Sequence, residues 1–224
     1  MGDFRAIKMS FRSNPNIGLY VYLTQRYCLA GPEVPEQEYE ALERVFGVPV
    51  RRLTIAGTGL LGVFLAGTPS HILVPSIVNQ RELDVLDNLG IKYAVIHTDL
   101  TALGNNIMCN AHGCLASAEY SDAERAQMSK VLGVPVKAFC IGELPIVGSC
   151  GVANAKGCLV HRGTKNFEID MIAQTLKVPV TLGTVNLGNP YVKGGVACND
   201  EGMIVGDLSG GPEIVNAEEA LRGE

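Results

Sequence analysis

No run of apolar residues in this chain approaches the roughly 18 that a membrane helix requires, and residues 1–8 lack the long apolar stretch of a secretion signal. Met1 and Gly2 open like a myristoylation site, but Ala6 stands where that motif needs Ser or Thr. A soluble, cytoplasmic protein without membrane partner or lipid anchor is expected, with the nucleus added if the source is eukaryotic. Charge is also scarce. Only 18% of residues are charged and the net charge is −5, which disfavours general attraction to phosphate backbones. DNA is therefore no expected partner, and an RNA-rich target would have to be gripped locally or through basic proteins. The seven cysteines make an odd set without a signal peptide, so reduced thiols and no disulfides are expected.

What is present is apolar and compact. A hydrophobic fraction of 47% and a mean hydropathy of +0.19 leave little room for disorder. At 224 residues the chain suits one domain or two small ones.

Internal repetition decides between them. Leu103, Gly104, Cys109, Asn110, Gly113, Cys114 and Leu115 align position for position with Val147, Gly148, Ala153, Asn154, Gly157, Cys158 and Leu159. Val192, Gly194, Cys198, Asn199, Gly202, Met203 and Ile204 continue the series, and segments beginning at Gly18 and Gly62 fit more loosely. The leading glycines at 18, 62, 104, 148 and 194 are 44, 42, 44 and 46 residues apart. Five units result, at about 14–56, 57–100, 101–142, 143–185 and 186–224, forming a single domain.

Each unit reads as an apolar strand, a turn with Asn and Gly, and a second strand. Helical spacing follows, as in Tyr39, Leu42 and Val45, or Leu83, Leu86 and Leu89. Met128, Val131 and Leu132 follow the capping pair Ser121 and Glu124, and Ile214, Ala217 and Leu221 follow Pro212. Val-Pro-Val at 48–50, 134–136 and 178–180 then returns the chain to a strand. Such a unit cannot bury its faces alone, so five must share a core, and ring closure would remove open edges.

Several of these residues resemble the translation initiation factor 6 family. The repeat punctuation Leu103-Gly104-Asn105 and Val147-Gly148-Ser149 carries the resemblance. So do Gly183-Thr184-Val185-Asn186, Leu159-Val160-His161, Gly210-Gly211-Pro212-Glu213, and Thr24 with Tyr27, Cys28 and Leu29. It covers essentially the whole chain and implies an α/β pentein fold, five quasi-equivalent repeats around a pseudo-fivefold axis. It also implies a non-enzymatic task without cofactor. That task is binding the large ribosomal subunit near the sarcin-ricin loop, through ribosomal protein and rRNA, excluding the small subunit and serving large-subunit biogenesis. A monomer off the ribosome is expected. The chain departs from the pattern at Leu187 and Asn189, where many members have Arg and Ser, at Arg162, where Pro is common, and at 68–71, which replaces an Asn and Gly turn. Ending just past the fifth helix, the sequence resembles archaeal members or those of a reduced eukaryote.

Equivalent loops of a ring emerge on one face, which nominates the loops around the leading glycines as a ribosome-binding platform. Its candidates are Asn14, Asn16, Thr58, Gly59, Leu60, Leu103, Asn105, Asn106, Leu144, Asn186, Leu187, Asn189 and Tyr191. Turn geometry explains single Asn and Gly residues equally well. Two other signals lead elsewhere. Gly57, Gly59 and Gly62 spell a dinucleotide fingerprint, but residues 63–66 read as a strand where that motif needs a helix. Cys109, His112 and Cys114 are metal-ligand types, yet their repeat partners Ala153, Cys158, Cys198 and Met203 are small or apolar, so no metal is expected. The alternative function follows from the pentein resemblance: a guanidine-modifying enzyme with Cys198 as nucleophile and His161 as its activator.

Overall fold

The computed structural model describes residues 4–223, so the Met1 and Gly2 start lies outside them. Among the described residues, β1 spans Arg5–Met9, and the other strands build sheets of three. The first holds β2 (Val21–Leu23), β3 (Cys28–Ala30) and β4 (Val50–Arg52); the second β5 (Ala66–Gly67), β6 (Ile72–Pro75) and β7 (Tyr93–Ile96). The third holds β8 (Ile107–Cys109), β9 (Cys114–Ser117) and β10 (Val136–Phe139); the fourth β11 (Gly151–Ala153), β12 (Cys158–His161) and β13 (Val180–Gly183). In each, an antiparallel hairpin is followed by a crossover helix and a third strand parallel to the middle one. Middle strands such as Cys114–Ser117 are buried throughout, which explains their unbroken apolar sequence.

The fifth sheet closes differently. β14 (Val196–Cys198) and β15 (Gly202–Gly206) form its hairpin, but the third strand is β1, paired in parallel from Arg5 with Gly202 to Met9 with Gly206. The N-terminal segment thus completes the last repeat and ties the ring shut, a role that repeat counting from residue 14 leaves unseen.

The crossover helices are Tyr39–Phe46, Gln80–Asn88, Asp122–Leu132, Asn166–Leu176 and Gly211–Arg222. Capping boxes start the second and third, with Asn79 and Ser121 accepting from the amides of Glu82 and Glu124. Left-handed Gly47, Gly133 and Gly223 end the first, third and fifth.

The apolar core is five clusters, each straddling a junction between neighbouring repeats. Leu29 and Leu53 pack with Leu61 and Leu86; Met108 and Leu115 pack with Ile172 and Leu176. At the closing junction, Met9, Ala197 and Ile204 pack with Ile17, Leu42 and Phe46. No repeat owns its core, so none is stable alone.

The leading residues, expected as strand, instead form one-turn helices: Ile17–Leu19, Leu61–Phe64, Leu103–Asn106, Val147–Cys150 and Val192–Gly195. They pack on one another in a ring around the axis. A Cβ on Gly62, Gly104 or Gly148 would fall far inside contact distance of the carbonyl oxygen of Gly18, Gly62 or Gly104, and one on Gly18 would strike that of Lys193. At these four positions the glycine is therefore a requirement of backbone approach; in the fifth helix Lys193, and not the Gly194 aligned from the sequence, holds that second place.

A second set of contacts joins the repeats at the hairpin turns. The Asn110 amide donates to Leu176 O at 2.7 Å and Asn154 O at 3.2 Å. Asn154 donates to Leu221 O at 2.8 Å and Asn199 O at 2.9 Å, and Asn199 to Phe46 O at 2.8 Å. Each Asn Oδ1 accepts from amides of its own turn, such as Lys156 and Gly157. Each thus shapes a turn and latches the end of the next repeat's helix. Thr24 and Thr68 stand in the equivalent places of repeats 1 and 2.

One expectation fails here. Cys109 and Cys114 form a disulfide, with Cα atoms 4.2 Å apart. They are opposed across the β8 and β9 hairpin, and Cys114 N bonds outward to Pro135 O, so this is a non-hydrogen-bonded pair, where strands approach closest. Cys28, Cys140, Cys150, Cys158 and Cys198 remain free thiols.

Candidate functional site: the loop face

Third strands and middle strands end on the same face, opposite the hairpin turns, and there the chain enters each axial helix. Four of these entrances are closed by isolated antiparallel bridges: Phe11 with Asn14, Ile55 with Thr58, Ile141 with Leu144, and Val185 with Asn189. Their tips use the left-handed region at Arg12, Ser13, Ala56, Glu143, Asn186 and Leu187, with φ between 48° and 71°. Non-glycine residues rarely stay there unless the surroundings hold them.

What holds three of the four tips, all but the one at Arg12 and Ser13, is a carboxylate at the third position of a crossover helix. Glu82 accepts from Ala56 N and Gly57 N at 2.9 Å each, and Glu168 from Gly142 N at 3.0 Å. Glu213 accepts from Gly188 N at 2.8 Å and Leu187 N at 3.2 Å. Burial pushes Glu82 and Glu213 upward, but these amide donors outweigh it and leave both below the usual carboxylate range. Sequence reasoning missed this role. The one capping pair named from the sequence was Ser121 with Glu124, and the loop partners of Glu82, Glu168 and Glu213 lie 25 or 26 residues upstream of them.

The same bonds dispose of the dinucleotide fingerprint. A one-turn helix does stand here, contrary to the strand expected, but it is only Leu61–Phe64 and contains Gly62 itself. The amides of Ala56 and Gly57, which would meet a phosphate, already hold Glu82.

The candidate residues divide on this face. Leu103 is fully buried, Asn106 is buried beside Tyr120, and Gly59 is buried against Glu33, so these three belong to the core and not to a surface. The inward-facing side of the one-turn helix accounts for Leu103 and Asn106. Asn14, Thr58 and Asn189 shape turns through bonds to Asn16 N, Leu60 N and Tyr191 N. Asn186 ties its loop to others: its backbone N–H donates to Ser209 Oγ, its Oδ1 accepts from that hydroxyl, and its Nδ2 donates to Pro15 O of repeat 1. Asn16, Leu60 and Leu144 are half-buried. Leu187 projects 76% exposed, and Tyr191, 40% exposed, lies 5.9 Å from the His161 ring.

Asn105 and Tyr191 come together with Leu19, Ile146, Ser149 and Lys193 at the mouth of an axial cavity of about 180 Å³. Lys193 closes it from below: its Nζ crosses the axis from the fifth repeat to donate to Gly104 O at 2.6 Å. Burial lowers its pKa to about 8.

Sequence comparison accords with this architecture. Residues 6–220 match the profile described as eIF-6 family. The chain belongs to that family. It is 34% identical over 220 residues to "Translation initiation factor 6" of Thermococcus onnurineus, covering 96% of each chain. It is 31% identical over 206 residues to the protein of that name from Pyrobaculum aerophilum, covering 92% of this chain and 94% of the relative. A solved structure of a dimethylarginine dimethylaminohydrolase variant, an adduct with S-methyl-L-thiocitrulline, is similar in fold. Its TM-score is 0.56 at 16% identity, over 79% of this chain and 69% of that one. Members of this family thus share the pentein architecture with an enzyme.

The arrangement here does not assemble the enzyme alternative. Cys198 ends β14 at the hairpin face, opposite Met203, whereas His161 ends β12 at the loop face, opposite Gly183. Strand rise alone separates such positions by about 10 Å. Burial, with Asp200 and Cys158 nearby, also pushes the Cys198 thiol far up, the reverse of an activated nucleophile. Among the described residues no group of His, Cys, Asp or Glu could hold a metal, and no helix is long and apolar enough to cross a membrane.

Proposed function

We propose that the chain is a ribosome anti-association factor whose loop face binds the large subunit, near the sarcin-ricin loop, and sterically prevents joining of the small one. Family membership supports a role in translation initiation. The observation that carries the finer reading is Leu187, an apolar side chain 76% exposed and held at φ 64° by Glu213. A rigid, exposed apolar tip with an aromatic neighbour, Tyr191, suits a flat protein interface, where a few anchored side chains dominate affinity. Asn14, Asn16, Thr58, Leu60, Asn105, Leu144, Asn186 and Asn189 complete the platform. The protein acts as a monomer in the cytoplasm and serves large-subunit biogenesis by occupying the same surface.

Co-sedimentation with separated subunits tests this. Wild type is expected to pellet with the large subunit alone and to block joining, and Leu187→Asp or Asn105→Arg to weaken binding about tenfold or more at unchanged stability. Binding to neither subunit, or equal affinity of both variants, would remove the reading.

A further inference from the structure

The junction between repeats 1 and 2 opens on the hairpin face, away from the platform, into a cavity of about 300 Å³. Arg26, Arg51 and Lys92 line it with Tyr27 and Ser70. It continues, through the shared wall of Gly90, Ile91 and Lys92, into a shallower hollow beside His71 and Tyr93. Two features distinguish this trough. All three cations are exposed and, among the described residues, none is ion-paired. They concentrate positive charge on a chain of net charge −5. Of the residues lining it, one is a carboxylate, Asp87, which accepts from the Tyr93 hydroxyl at 3.3 Å near the far end. At this junction Thr24 stands where Asn110, Asn154 and Asn199 stand at three others, and its hydroxyl bonds within its own turn, to Arg26 N, Tyr27 N and Tyr27 O.

We infer that this trough binds single-stranded RNA, with Arg26, Arg51 and Lys92 on successive phosphates and Tyr27, His71 and Tyr93 offering ring faces to the bases. Two joined hollows lined by both cations and aromatic side chains fit a flexible strand better than a compact anion or a duplex. The contact is separate from the loop-face reading and gives the protein a second, opposite surface.

Fluorescence anisotropy with a fluorescein-labelled 12-nucleotide oligouridylate tests it. Binding should weaken at least tenfold in Arg26→Ala/Arg51→Ala/Lys92→Ala, with an unchanged unfolding midpoint. The wild-type log–log salt slope should be about −2, from roughly 0.7 per phosphate over three contacts. Arg81→Ala/Lys137→Ala/Lys165→Ala, equal in charge change, and Leu187→Asp should both bind as wild type does. Absence of binding, equal loss in the charge control, or binding of a polyphosphorylated peptide in place of the RNA would overturn the proposal.

Discussion

Junctions 3/4, 4/5 and 5/1 of the ring are latched by Asn110, Asn154 and Asn199, whereas junctions 1/2 and 2/3 present Thr24 and Thr68. All five share the apolar packing and the axial one-turn helices. Hydrophobic burial thus assembles the ring, and the polar latch is an addition that some junctions do without. A buried Asn satisfies helix carbonyls that packing alone would strand. At junction 1/2, where it is missing, the surface opens beside Arg26 and Lys92.

The largest effect should come from the axis, which also contains an unequal pair. Gly104→Ala would drive a Cβ into Gly62 O and Leu65 O, both backbone atoms with nowhere to go, and is expected to cost about 3 kcal/mol. At Gly194 the nearest atom to a Cβ is Asn16 Oδ1 at 3.7 Å, so Gly194→Ala should stay within about 0.5 kcal/mol of wild type. Guanidinium unfolding midpoints at constant slope give both numbers. Equal losses would mean that close approach of the backbone is not what the glycine at 104 supplies.

Breaking a latch should come next. Asn154→Ala removes donors from Leu221 O and Asn199 O and an acceptor from Lys156 N and Gly157 N, at a position only 3% exposed. An expected cost of about 2–3 kcal/mol follows from leaving such groups unpaired. Thr68 bonds through its hydroxyl only to Ser70, so Thr68→Ala should cost no more than about 1 kcal/mol. If the same unfolding assay finds the two alike, the latch is ornamental to the ring.

Much of this was legible in the sequence. The period came from the leading glycines, the crossover helices from apolar spacing and the Ser121 and Glu124 box, and the turns from Asn110, Asn154 and Asn199. The closing strand was hidden because Arg5–Met9 is short, carries the charged Arg5 and Lys8, and is paired with residues nearly 200 positions away. Short apolar runs such as Leu61–Phe64 carry no period that separates strand from helix. Leu103 and Asn106 entered the platform for the same reason, since in a helical turn they face the core. The Cys109 and Cys114 bridge needed the hairpin register before the two sulfurs were seen to oppose each other. Of the loop anchors Glu82, Glu168 and Glu213, only Glu213 was marked, as part of a helix start, and none as an anchor, because the amides they hold lie 25 or 26 residues upstream.

Creating a latch is the finest test of the comparison. The Thr24 hydroxyl already accepts from Arg26 N at 3.1 Å and Tyr27 N at 3.2 Å, as the Oδ1 of each latching Asn does in its own turn. Half of the device is therefore present at junction 1/2, and the missing half is an amide able to reach the end of helix Gln80–Asn88. Thr24→Asn should supply it and raise stability by about 1 kcal/mol, the net worth of a typical hydrogen bond. Thermal and denaturant unfolding would both register the gain. No gain would show that the neighbouring helix end lies out of reach there, making the open junction a property of backbone placement and not of one side chain.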